Sequence, residues 1–149
     1  MPSIHHSRSP EQTFAIGAEL GQTLRGGEII LLNGGLGAGK TLFTQGVASA
    51  LGIDPGEVAS PSYVLMIEHR GRLPLFHFDL YRLGQNPESL RGILDDWLGR
   101  GVVVVEWSEY LPEETLREPG IIRVAIAEVG EGEREIIVGR PGENGAPGR

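Results

Sequence analysis

Apolar positions along this chain switch between a helical period and the two-residue period of a strand, with short unbroken apolar runs between. The stretch "PEQTFAIGAELGQTLR" carries Phe14, Ile16, Leu20 and Leu24 at roughly helical spacing. Ser9 ahead of Pro10 is a fitting start for that helix, because a hydroxyl can accept an orphan amide and the proline ring already holds a helical φ. "EIILLN", 28–33, is apolar on both faces, the pattern of a buried strand. "KTLFTQGVASALG" returns to helical spacing and stops at Gly52. Two strand-like runs follow, "SYVLMIEH" and "LPLFHFDLY", with "RGR" between them as a hairpin turn. The spacing in "ESLRGILDDWLG" predicts a short helix leading into "VVVVE", 102–106, the most strand-like run in the chain. "GIIRVAIAE" and "REIIVG" flank "VGEGE" as a second hairpin. Together these elements predict a three-layer α/β domain with a mixed sheet, parallel around 28–33 and 101–106 and antiparallel at the two hairpins.

Composition narrows the picture. With 149 residues, 40% of them apolar, the chain has material for one domain with a sizeable core. The final "GRPGENGAPGR" is mostly Gly, Pro and polar residues and cannot offset its ordering entropy by burial. Residues 9–139 are therefore read as a single domain, with 1–8 and 140–149 as flexible tails. His5 and His6 read as part of a solvated tail, because no carboxylate or third imidazole lies near them in the sequence. A net charge of −7 and a pI near 5.1 argue against a basic face that holds nucleic acid, so any RNA connection is expected through a partner. The absence of cysteine excludes disulfides and thiolate metal sites, in agreement with a cytosolic setting. "MPSIHHSRSP" has no apolar core of signal-peptide length, and nowhere do about eighteen apolar residues run together. The chain reads as soluble, unexported and cytoplasmic.

One short segment carries most of the chemistry. "GGLGAGKT", 34–41, lies between a predicted strand and a predicted helix and spells Gly34, four residues, Gly39, Lys40, Thr41, the spacing of a phosphate-binding P-loop. Glycines let the backbone turn with its N–H groups pointing inward, and the following helix offers the positive end of its dipole. An ammonium reaches the β- and γ-phosphates, and the Thr41 hydroxyl serves Mg²⁺. Lys40 is the only lysine among the 13 Lys and Arg residues. A compact charge on a flexible stem can follow a phosphate chain, whereas a planar guanidinium would crowd the loop. Drift toward arginine is opposed here and tolerated elsewhere.

Chemistry at a γ-phosphate also needs a metal and a positioned attacking oxygen. Glu106 ends "VVVVE", a place from which an acid reaches Mg²⁺ directly or through water. In "FHFDLYR" the strand alternation puts Phe76, Phe78 and Leu80 on one face and His77, Asp79 and Tyr81 on the other.

With these residues in view, the chain resembles the bacterial TsaE (YjeE) ATPases, which take part in making the threonylcarbamoyl modification of adenosine in tRNA. The resemblance runs over roughly residues 9 to 138 and rests on "GGLGAGKT", "SPSYVL" at 60–65, "HFDLYRL" at 77–83 and "VVEW" at 104–107, in that order. It implies that Gly34, Gly37, Ala38, Gly39, Lys40, Thr41 and Leu42 hold ATP. It further implies that Thr41 and Glu106 serve Mg²⁺ and that Asp79 is needed for turnover, with Asp79 a second candidate for the metal. Trp107 is expected near the nucleotide, and "SPSY" is similar to a GTPase switch, in which Ser60 and Ser62 would sense the γ-phosphate. Gly35 stands where the family usually has Asp, and Leu42 where it has a second Thr, which removes a hydroxyl from the α-phosphate region. Gln12 and Arg134 match family positions near the nucleotide, although a capped helix start and a hairpin charge explain them equally well.

The resemblance implies an accessory ATPase that acts on the TsaB–TsaD type threonylcarbamoyl-transferase pair, with tRNA contacted only indirectly. A small-molecule P-loop kinase is the alternative, but residues 84–100 offer only Arg91 and Arg100 for a lid. A nucleotide-gated binding module with negligible turnover is a third reading.

Overall fold

The computed structural model describes residues 2–35, 39–61, 64–84 and 86–141, the side chain of Pro87 apart. The described residues build a seven-stranded sheet in the order β1-β7-β6-β2-β5-β4-β3. In chain order the elements are β1 (Ser3–Ser7), α1 (Pro10–Gln22), β2 (Ile29–Asn33), α2 (Lys40–Ala50), β3 (Met66–His69), β4 (Leu75–Asp79), β5 (Val102–Glu106), β6 (Ile121–Gly130) and β7 (Glu133–Gly139). The four central strands β6, β2, β5 and β4 are parallel, and antiparallel partners close both sides. The mixed α/β architecture expected from the sequence is the one observed.

Strand alternation sorts the core into two layers. Ile30 and Leu32 of β2, Val102 and Val104 of β5, and Leu75 of β4 face α1 and α2. Ile29, Leu31, Val103, Val105, Phe76 and Phe78 face the opposite way. That second face is covered by residues 80–116, chiefly through Leu80, Leu90, Leu94 and Leu111 with Trp97 and Tyr110 packed beside them. The covering segment is not the helix expected at 88–99. A 3-10 turn spans Pro87–Leu90 and the chain continues in turns. Leu90, Leu94 and Trp97 keep the helical spacing and bury as predicted, but Gly92 at φ 69 and Gly99 at φ 79 lie in the left-handed region that breaks an α-helix.

On the other face α1 and α2 approach until their backbones nearly touch. A Cβ added to Gly17 would lie 2.2 Å from the Phe43 carbonyl oxygen, and one added to Gly46 would lie 2.1 Å from that of Phe14. The buried face of α1 is therefore Thr13, Gly17, Leu20 and Gly21, while Phe14 and Ile16 are only half-buried. Glycine here is a packing residue, since only a missing side chain admits the neighbouring helix.

The N-terminal residues are part of the fold rather than a tail. Ser3 to Ser7 pair antiparallel with Val138 to Arg134 and satisfy the backbone of β7, which would otherwise be an open edge. Ser7 is buried and its hydroxyl meets that of Thr13 at 2.7 Å. At the other end Arg140 donates from Nη2 to Thr23 Oγ1 at 3.0 Å, and residues 142–149 lie outside the described part. Among the described residues no helix is long and apolar enough to cross a membrane.

Candidate functional site at the head of α2

Strand β2 is buried throughout until Asn33, and the chain then passes through Gly34 and Gly35. Gly37 and Ala38, two of the expected nucleotide-holding residues, lie outside the described residues, as does Ser62. The loop returns at Gly39, which caps α2 with φ 105, a backbone that disfavours any side chain. The first helical bond, Phe43 N–H to the Gly39 carbonyl at 3.0 Å, leaves the amides of Lys40, Thr41 and Leu42 without a partner inside the helix. Those amides and the helix dipole make the head of α2 receptive to an anion. Thr41 and Leu42 are half-buried in this first turn.

Lys40 is 8% exposed, unusual for a lysine, and its Nζ lies 4.6 Å from the centroid of the Trp107 ring. Trp107 follows β5 directly and takes φ 61, ψ 40, a left-handed conformation rare for a bulky residue. Tyr81 packs against it at 4.9 Å and Tyr110 stacks nearly parallel at 6.0 Å. Gly84 makes room for Tyr110, since a Cβ there would lie 2.4 Å from its ring. Tyr81 is in the 3-10 turn Tyr81–Leu83 beyond β4 and is exposed, so it does not share the strand face of His77 and Asp79. The strand ends at Asp79, and the alternation read from the sequence ends with it.

The two acids stand side by side. Asp79 and Glu106 are register partners on the adjacent parallel strands β4 and β5, and Glu106 is in turn paired with Leu32 of the P-loop strand. Both lie at the carboxyl ends of their strands, where open α/β sheets bind ligands. Asp79 accepts from Ser60 Oγ at 3.1 Å and from the Tyr81 amide at 2.9 Å. His77 Nε2 meets Glu106 Oε2 at 2.6 Å, with both side chains almost wholly buried. The same face holds His69, whose pKa is lowered by burial and by His77, with Glu57 opposing.

Gln12 and Arg134 sit differently with respect to this site. Gln12 serves the start of α1, its amide donating to Ser9 Oγ at 3.1 Å and its Oε1 accepting from the Arg8 amide at 2.6 Å. Arg134 pairs with Glu128 at 3.2 Å, and its Nε would lie 3.8 Å from a Cβ placed on Gly39, which puts it against the loop. The bond between His77 and Glu106 and the aromatic group around Trp107 were not foreseen from the sequence. Alternation put His77 on the face of Asp79, but its partner sits on a strand whose neighbour is chosen by the fold.

Among the described residues no group of three or more His, Cys, Asp or Glu could hold a metal on its own. A threonine hydroxyl and two carboxylates fit Mg²⁺ well, because this hard cation favours oxygen ligands and usually keeps waters and substrate phosphates in its shell.

A family model described as threonylcarbamoyl adenosine biosynthesis protein TsaE matches residues 7–136. The protein of Treponema pallidum called tRNA threonylcarbamoyladenosine biosynthesis protein TsaE is 37% identical over 137 residues, covering 89% of this chain and 96% of its own. A protein of the same name from Bacillus subtilis is 39% identical over 129 residues, covering 86% of this chain and 79% of its own. The crystal structure of Bacillus subtilis YdiB, 32% identical, superposes with a TM-score of 0.74 over 95% of this chain and 87% of that one. A match of this extent, over a fold of the P-loop NTPase kind, makes the chain a member of the TsaE family.

Proposed function

We propose that this chain binds and hydrolyses ATP with Mg²⁺ and that, through this, it serves the synthesis of threonylcarbamoyladenosine in tRNA. The observation that carries the reading is a buried P-loop lysine at the head of α2, next to a strand pair that brings two buried carboxylates into register. Lys40 and the amides of the first turn of α2 bind the phosphate chain. Thr41 and Glu106 would hold the metal, which would supply positive charge against the charge that develops on the phosphates. Asp79, tied to Ser60 on the "SPSY" segment, orients the attacking water or passes the state of the γ-phosphate to that segment. The names of the relatives support the pathway. In this reading the acidic chain acts on the TsaB–TsaD type transferase pair and meets tRNA only through it.

Phosphate release measured with ATP alone, with small-molecule acceptors and with the transferase pair tests the proposal. Slow release alone and faster release with the pair is the expected result. Transfer to an acceptor would make the chain a kinase, and release that stays negligible with the pair would make it a binding module.

A further inference from the structure

We propose that His77 is the positioning residue for Glu106: its Nε2–H donates to Oε2 and aims the carboxylate at nucleotide-bound Mg²⁺. The inference rests on the reading of Glu106 as a metal-serving acid.

Three observations carry it. The bond is 2.6 Å long and wholly inside the protein, where water does not compete for either partner. The other ring nitrogen, Nδ1, is buried and has no hydrogen-bond partner among the described residues. A buried N–H without an acceptor is costly, so the proton belongs on Nε2, the nitrogen that has a carboxylate to receive it. Finally, His77 is firmly placed by its strand. It is fully buried in β4, paired through the strand with Val104 of β5 and with Ile67 of β3, and flanked by Phe76 and Phe78 pointing into the opposite layer.

Glutamate has more rotatable bonds than the strand end can hold still by itself, and its metal affinity depends on how far its carboxylate is oriented before the ion arrives. The rigid imidazole supplies that orientation through one oxygen and leaves Oε1 as the oxygen that reaches the site. Asp79 needs no such help, because Ser60 and the Tyr81 amide already hold its two oxygens.

The first test uses the protein without nucleotide or metal. Long-range ¹H–¹⁵N NMR is expected to show His77 protonated at Nε2 with Nδ1 bare, and a proton on Nδ1 alone would overturn the proposal. The second test titrates Mg²⁺ against ATP binding in the wild type and in His77→Leu and His77→Gln, each checked for folding by circular dichroism. His77→Leu should need about 10- to 100-fold more Mg²⁺ for the same ATP affinity, the usual cost of removing a partner of a metal ligand. ATP binding in the absence of Mg²⁺ should not change. His77→Gln, whose amide can donate from nearly the same place, should come back to within a few-fold of the wild type. If the leucine variant fails to fold, His77→Asn takes its place, because its shorter amide keeps polarity but not reach. A folded Leu or Asn variant with wild-type Mg²⁺ dependence sinks the positioning role while leaving the ATPase reading intact. A wild type that binds no ATP at all sinks the reading beneath it.

Discussion

The ammonium of Lys40 rests 4.6 Å from the centre of the Trp107 indole, which brings the P-loop lysine against the residue that follows β5. A cation over an indole at this distance is held by the negative face of the ring, so a phosphate chain bound by Lys40 would change the field at Trp107. The left-handed backbone at Trp107 holds the indole in that position.

Trp107 emission should therefore report nucleotide binding. Trp97 packs against Phe76 at 5.2 Å in the covering segment and contributes a background. In Trp97→Phe protein, saturating ATP with Mg²⁺ should change the remaining emission. An unchanged spectrum would mean that Trp107 has a structural role only.

Asp79→Asn and Glu106→Gln should fail in different ways, although each removes one negative charge at nearly constant shape. Losing Glu106 should weaken the Mg²⁺ dependence of ATP binding and of turnover together. Asp79→Asn should keep much of its ATP affinity and lose turnover, because its partners are Ser60 and the Tyr81 amide. Turnover is best measured with the transferase pair present. A larger metal defect in Asp79→Asn than in Glu106→Gln would show that the two roles are exchanged.

The helix pair gives a prediction about stability alone. Gly17→Ala places a methyl where the Phe43 carbonyl oxygen lies 2.2 Å away, and backbone cannot step aside as a flexible side chain can. Overpacking at such a contact should cost about 3 kcal/mol and lower the melting temperature by on the order of 10 °C. A melting curve like that of the wild type would refute the close approach of α1 and α2.

Stability should also fall on mild acidification, in part through His69. Burial holds its pKa below the ordinary 6.5, with repulsion from His77 adding to the effect and Glu57 opposing it. Between 6.5 and that lower value the unfolded chain binds more protons than the folded one, so stability rises with pH there. The contribution is fully present above the unfolded value and is lost as pH falls below it. Urea midpoints at about pH 7.5 and about pH 5.5 should therefore differ less in His69→Gln than in the wild type. Equal differences would contradict the assignment.

How much of this the sequence carries depends on whether a feature is local. Strands β2 and β5 and helix α2 were legible because unbroken apolar runs and a P-loop spacing leave few other arrangements. Asp79 and Glu106 were legible as strand-end acids for the same reason. That they are register partners was not, because a single sequence does not say which strand lies beside which. Strand β1 was missed because its stability comes from backbone pairing with β7, while Ile4 is 59% exposed and the pattern has almost no apolar face. The expected helix at 88–99 failed at Gly92, where correct burial spacing coexists with a backbone no helix tolerates. In α1 the apolar spacing pointed to Phe14 and Ile16, whereas Gly17 and Gly21 form part of the buried contact surface.

The central claim is that Lys40 and the head of α2 bind the phosphates of ATP, and a calorimetric titration of ATP with Mg²⁺ into wild-type and Lys40→Ala protein tests it most directly. Loss of the ammonium leaves phosphate charge unpaired in the loop, which should weaken binding by at least about 100-fold, roughly 3 kcal/mol. Saturable binding in the wild type with none measurable in Lys40→Ala is the predicted result. Equal affinity in the two proteins would contradict the assignment of this loop as the nucleotide site.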